Sequence, residues 1–265
     1  KTSLTNDGIV EFKEVTFSFP KASAPTLSGI SFTATPGKTT AIIGSTGSGK
    51  STVISLIPRF YDVSAGQVVI DGVDVRDYDK RVLRGKLGFV PQTAQLFRGS
   101  LRENIAFGKE NATDEEIKEA LRVAQASEFT DLLPGGLDFE VEQDGKNFSG
   151  GQKQRLAIAR ALVRKPEIYI FDDSFSALDF KTDVQLRKAL RNYTTNSTII
   201  IVAQRVSTII DAETIVVLDE GKIVGQGTHT ELLKTCPVYQ EIVESQLDKE
   251  EIAKTLAMAS SGGQR

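Results

Sequence analysis

The segment Gly44-Ser45-Thr46-Gly47-Ser48-Gly49-Lys50-Ser51 follows the pattern G-x-x-x-x-G-K-[ST]. It lies between a short β-rich run, Thr39–Ile43, and a helical pattern, Ser51–Ile57, that Pro58 disrupts; strand before and helix after is the context the motif requires. Glycines let successive backbone N–H groups converge on phosphate oxygens, and a helix start adds a favourable dipole. Lys50 can reach the outer phosphates, Ser51 offers Mg²⁺ a hydroxyl, and Thr52 completes the candidate contacts. A second feature is the apolar run Ile168–Phe171 leading into Asp172 and Asp173. A carboxylate ending a buried strand beside a phosphate loop is placed to hold Mg²⁺, usually through water. Alone, either motif has a plain alternative: a flexible Gly/Ser turn for the first, a solvated acidic turn for the second. Together they predict nucleotide binding.

The elements that must position these groups alternate. Val10–Phe19 reads as half-buried strand ended by Pro20, and Gly29–Thr35 as another before Pro36-Gly37. Gln67–Asp71 and Val73–Val75 flank the turn Asp71-Gly72. Ser100 with Glu103, Thr113 with Glu116 and Ser149 with Gln152 have capping-box spacing, so helices are expected near 101, near 114 and over Gly150–Arg164. A strand Glu167–Phe171, a helix Phe180–Tyr193, a strand Thr198–Val202 and a hairpin Thr214–Gly227 follow, then a helical region capped by Thr228. The expected fold is α/β with a mostly parallel core sheet and partly antiparallel opening strands. The helix-rich stretch of about Leu87–Arg164 interrupts the strand series and gives a helical subdomain at about 93–165; the tail, residues 248–265, is expected to fray.

Composition narrows the classes. The chain has 265 residues, 40% apolar and 25% charged, which suits a globular domain. Lys+Arg 32 against Asp+Glu 35 leaves −3, so no global basic field is available for wrapping nucleic acid. The lone Cys236 excludes an intramolecular disulfide framework and fits a reducing compartment. The charge-free stretch Ala22–Gly37 is broken by Pro25, Gly29 and Pro36 and falls short of the ~18–20 apolar residues of a spanning helix. Because the chain opens on Lys1 rather than Met, it is expected to be a fragment of something longer.

Asn147–Arg160 (NFSGGQKQRLAIAR), with the two preceding motifs, resembles the signature region of ATP-binding-cassette (ABC) proteins over most of Ile9–Leu247. Ser149 can cap a helix whose first amides are bared by Gly150 and Gly151, giving a second anion site; a purely structural capping box is the alternative. The resemblance implies the ABC ATPase fold, a P-loop NTPase core, with ATP and Mg²⁺ as cofactors. It implies a head-to-tail dimer in which each signature, here Ser149 to Gln152, covers the nucleotide of the other chain. It places Phe19 against adenine, with core packing as the competing reading, Asp172 and Gln92 at Mg²⁺, and Asp179 of Ser176-Ala177-Leu178-Asp179 in the loop that communicates across the dimer. Thr93–Gly108 and, more loosely, Phe139–Gly145 resemble exporter cassettes. That similarity implies coupling helices of a transmembrane domain preceding Lys1 and a site at the cytoplasmic face of the membrane.

Two departures from the family pattern stand out. Asp173 occupies the position where the family places the glutamate that polarises water, and Gln204 the position of the switch histidine. Asp is shorter than Glu by one C–C bond, about 1.5 Å, and a general base must come within ~2.6–3.2 Å of its proton. Gln204 can donate a neutral hydrogen bond but carries no imidazolium charge. The only histidine, His229, reads as an exposed helix-start residue. The expectation is therefore the weakly hydrolysing half of a heterodimeric ABC exporter, with a sister cassette as partner. A nucleotide-sensing module without transport coupling is the alternative from another class. A soluble ABC protein of DNA repair or translation lacks the expected long insertion or second cassette, and no N-K-x-D motif points to guanine.

Overall fold

Alternation along the inner strands decides which side chains serve which core, and so where the two faces of the central sheet point. The computed structural model describes residues 8–261, with side chains through Ala257. Val10–Phe17 (β1), Leu27–Ala34 (β2), Thr39–Gly44 (β3), Lys50–Leu56 (α1), Ala65–Ile70 (β4) and Val73–Asp74 (β5) open the chain. Lys80–Gly85 (α2), Leu87–Val90 (β6), Gly99–Ser100 (β7), Leu101–Ala106 (α3), Asp114–Val123 (α4), Ser127–Thr130 (α5), Glu140–Val141 (β8) and Gly150–Val163 (α6) follow. Ile168–Asp172 (β9), Phe180–Tyr193 (α7), Thr198–Val202 (β10), Val206–Ile209 (α8), Thr214–Asp219 (β11) and Lys222–Gly227 (β12) complete the sheets. His229–Thr235 (α9), Pro237–Glu244 (α10) and Lys249–Ser261 (α11) end the described chain.

β2-β1-β4-β5 form a four-stranded antiparallel sheet, and β12-β11-β3-β10-β9-β6 a six-stranded one that is parallel except for β12. This is the expected architecture, the ABC ATPase fold on a P-loop core. In the central sheet Ile42, Ile168, Ile170, Ile200 and Val202 face one cluster with β1, β2, β4 and α1. Their neighbours Ala41, Ile43, Tyr169, Phe171, Ile199 and Ile201 face the other, with α3, α4 and α6. Both faces are covered, so β9 and β10 read as continuous apolar runs rather than alternating ones.

The capping boxes at Ser100, Thr113, Ser149 and Thr228 all form. Two readings need correction, that of Leu87 and that of His229. Leu87–Val90 is a strand of the core sheet, paired to β9, so the helical subdomain does not begin at Leu87. The tail, for which fraying is expected, includes helix α11 as far as Ser261, with a reciprocal pair between Asp248 and Glu251 at its start and Ile252 packed on the core; the end of the tail, from 262, lies outside the described residues. His229 is 3% exposed, because Tyr239 from α10 and Thr255 from α11 close over its ring. That burial comes from helices folding back, a tertiary event that a cap pattern does not carry.

Candidate active site

The carboxyl ends of β3, β9 and β10 lie side by side, with Val202 paired to both Ile42 and Asp172. In open α/β sheets ligands bind outside such ends. β3 delivers Gly44 to Gly49, and α1 begins at Lys50 with Gly49 as its cap at φ 104. A Cβ on Gly44 would lie 2.3 Å from the Leu218 carbonyl oxygen and 2.6 Å from Ser48 Oγ, so only glycine fits there. Ser45, Thr46 and Gly47 form the exposed rim, while Ser48 and Lys50 are buried. The Lys50 ammonium donates to the carbonyls of Gly44 and Ser45, both at 2.8 Å, curling the loop around its own charge. Burial lowers the Lys50 pKa, against the opposing pull of Asp173 and Asp172.

Ser51 Oγ donates to Asp172 Oδ1 at 3.1 Å, bringing together two groups predicted from segments far apart in sequence. These are hard oxygen donors of the kind Mg²⁺ takes beside phosphate, so the residues fit that ion. Gln92, the third predicted contributor, lies in the exposed loop after β6. Its loop is tied down on two sides: Gln154 of α6 donates to Pro91 O at 3.1 Å and Ser174 Oγ to Val90 O at 2.9 Å. Burial raises the Asp172 pKa, with the Ser51 hydroxyl opposing.

Asp173 is 8% exposed and sits at φ 47, a left-handed conformation that Asp tolerates better than most residues. Its N–H donates to Val202 O at 2.8 Å, fixing the backbone to β10. Burial raises the pKa of its carboxyl, opposed first by the Gln204 backbone N–H and then by the Ser176 hydroxyl. Val202, whose carbonyl holds the Asp173 N–H, stands two residues before the switch residue Gln204, which is exposed. The adjacent Arg205 donates to Ser176 O at 2.6 Å and Leu178 O at 3.1 Å, clamping the loop that ends in Asp179. Asp179 caps α7 by accepting from the N–H and the hydroxyl of Thr182.

Phe19 lies beyond the end of β1, 38% exposed, edge-on to Phe17 at 4.9 Å and to Tyr61 at 5.3 Å. It is not a core residue; it stands on an aromatic ledge that Tyr61, 45% exposed, extends. The signature is elsewhere: Ser149 accepts from the Gln152 N–H, Gln152 reaches back to the Ser149 N–H, and both Ser149 and Gly150 are exposed. A Cβ on Gly150 would meet nothing within 4 Å, so the start of α6 is open space on that side. Gly151 lies under the carbonyl of Ala177, 3.1 Å from where its Cβ would be, so the signature and the Asp179 loop touch. Thr52 is half-buried in α1.

Sequence reasoning missed Arg205, Gln154 and Tyr61. Arg205 adjoins a predicted site residue and was the findable one; the other two act through contacts made only on folding. A cleft of about 450 Å³ between α4 and α7, lined by Glu119, Arg122, Lys188 and Tyr193 among others, includes none of the predicted site residues. Among the described residues no helix is long and apolar enough to cross a membrane.

Comparison with known proteins bears on this geometry. Uncharacterised ABC transporter ATP-binding proteins of Mycobacterium tuberculosis and Mycobacterium bovis are 51% identical over 242 residues, covering 90% of this chain and 41% of theirs. The ATP-dependent lipid A-core flippase of Chromobacterium violaceum is 44% identical, covering 89% of this chain and 40% of its own length. A solved bacterial Atm1-family ABC exporter with ATP bound superposes with a TM-score of 0.88 at 39% identity, over 93% of this chain and 43% of the other. The chain thus spans about two fifths of the length of these relatives. A family profile described as ABC transporter matches residues 27–176, more than half of the chain and everything from β2 through the phosphate loop and signature to Ser176. With that match laid over a strand-borne phosphate loop, a paired Ser51 and Asp172 and a capped glycine signature, the chain belongs to the ABC transporter family, as a nucleotide-binding domain.

Proposed function

We propose that this chain is the cassette of an ABC exporter that holds Mg-ATP in its own phosphate loop, cleaves it slowly, and completes the hydrolytic site of a sister cassette with its signature. The observation that carries the reading is Asp173. Its backbone N–H is tied to Val202 O and the residue is only 8% exposed, so a side chain one bond short has little freedom to advance. The binding groups keep their geometry: Lys50 lines the loop, Ser51 meets Asp172, and Phe19 offers an exposed ring for the base. Bound Mg²⁺ supplies charge neutralisation on the β- and γ-phosphates. This chain's residues supply the rest: glycine-loop amides orient the phosphates, Lys50 adds a positive charge, and Asp173, directly after Asp172, is the carboxylate offered to take a proton from water.

The exporter assignment draws on the similarity to the lipid A-core flippase and the Atm1-family exporter. It places the chain at the cytoplasmic face of a membrane, its helical subdomain at 93–165 gripping the coupling helices of a transmembrane domain. The open signature at Ser149 and Gly150 supports the second half of the proposal, since a second exposed helix start besides the phosphate loop suits another chain's nucleotide. The test is to mix the chain with its cognate cassette and measure phosphate release. Activity that collapses on Ser149→Ala or Gly151→Val supports the shared site; activity indifferent to both would favour a sensing module instead.

A further inference from the structure

Behind the switch, in the turn that follows α10, Gln246 uses both ends of its amide. Its Nε2 donates to Gln204 O at 2.7 Å, and its Oε1 accepts from the Val206 N–H at 2.8 Å. The Gln204 C=O is thereby held by Gln246, and two residues earlier the Val202 C=O holds the Asp173 N–H at 2.8 Å. We infer that Gln246 is a positioning residue of the hydrolytic site, setting the switch backbone that runs on from Val202, the anchor of the Asp173 N–H.

The placement of Gln246 is built rather than incidental. Tyr239 and Val243, both 0% exposed, seat α10 in the core, and the Tyr239 hydroxyl bonds His229 Nδ1 at 2.7 Å. Thr255 Oγ1 donates to Ile252 O at 2.7 Å, so His229 Nε2 must carry the hydrogen in its 2.8 Å bond to that hydroxyl. His229 Nδ1 then accepts from Tyr239, and α9, α10 and α11 are locked into one block. The turn closes with the N–H groups of Gln246 and Leu247 both donating to Val243 O, at 3.0 and 2.8 Å. Gln246 itself is exposed, so its side chain contributes little packing and its two hydrogen bonds are what it has to offer.

This inference rests on the reading of Asp173 and Gln204 as the hydrolytic pair, and the experiment separates the two. The full chain with its cognate cassette is assayed for Mg-ATP turnover as wild type and as Asp173→Glu/Gln204→His, each with and without Gln246→Leu or Gln246→Glu. Leucine removes both bonds; glutamate keeps an acceptor for Val206 but sets a carboxylate oxygen against Gln204 O. The expected result is that either change lowers kcat on the order of tenfold in whichever background turns over measurably. KM for Mg-ATP should stay within about twofold, because the phosphate loop is untouched. Amide exchange at Val206 should quicken with leucine and not with glutamate, with Tm unmoved in both. A kcat that stays within about twofold while Val206 exchange quickens would overturn the inference, as would kcat, KM and Tm falling together. Rapid turnover by the wild-type site, read from the cassette's own nucleotide, would instead sink the slow-hydrolysis reading and leave the Gln246 comparison to be made in that background.

Discussion

Replacing Asp173 with Glu, together with Gln204→His, asks directly whether one missing bond limits this site. The backbone at 173 is pinned by its N–H to Val202 O at 2.8 Å, so the substitution extends the carboxyl by about 1.5 Å without the main chain retreating. A positioned general base is worth ~10²–10⁴-fold in rate, equivalent to about 3–5 kcal/mol of barrier. The gain has a cost. Position 173 is at φ 47, where Glu lacks the local hydrogen bonding that lets Asp settle in the left-handed region, at about 1 kcal/mol. That corresponds to a Tm lower by ~2–4 °C for a domain of this size. The assay is single-turnover phosphate release from the cassette's own loop, with the cognate cassette present and its own site silenced, beside a thermal melt of each variant. Turnover rising at least about a hundredfold, with a modestly lower Tm, is the expected pair of results. Unchanged release in a double variant that binds Mg-ATP and associates normally would refute the geometric argument.

Lys50→Met should weaken Mg-ATP binding by ~10–100-fold in a fluorescent-nucleotide titration, the range of a lost charge-assisted hydrogen bond. Gly44→Ala forces a Cβ to 2.3 Å from Leu218 O and should cost ~1–3 kcal/mol or more, whereas Gly47→Ala meets nothing within 4 Å and carries only the left-handed penalty at φ 79; denaturant melts should rank them in that order. Burial pushes the His229 imidazole below its ordinary pKa, so the unfolded chain binds that proton more readily than the folded one. Stability should therefore be complete above about pH 6.5 and fall as pH drops below it, by at most about 1.4 kcal/mol per unit. Melts across that window should be flatter for His229→Gln than for wild type.

The phosphate loop and the signature were legible because each is a local device: a turn and a helix start, written in consecutive residues such as Gly49-Lys50 and Ser149-Gly150. β9 and β10 were legible for a related reason, since burial on both faces leaves an unbroken apolar run. What escaped was set by residues that meet only after the chain folds back. His229 looks like any polar residue after a cap until Tyr239 and Thr255 cover it. Gln246 looks like a solvent-facing glutamine in a polar stretch, and its partner Gln204 lies 42 residues earlier. β6 was absorbed into the helical stretch because four residues, Leu87–Val90, are too few to show a period. Phe19 stood between two readings, and exposure beside Tyr61 removes the core one.

One residue in the turn between β11 and β12 has a wider reach than its size suggests. Gly221 accepts from the Ser28 N–H at 2.9 Å with its carbonyl and donates to Ser48 O at 3.0 Å with its amide, and a Cβ there would stand 2.1 Å from Thr26 O. The antiparallel sheet behind Phe19 is riveted in this way to the floor of the phosphate loop. In the proposed reading, the base and the phosphates of a nucleotide are gripped by jaws whose spacing is set in advance. The domain then gauges its ligand by length, as a fixed caliper does, and motion on binding is left to the parts outside that rivet.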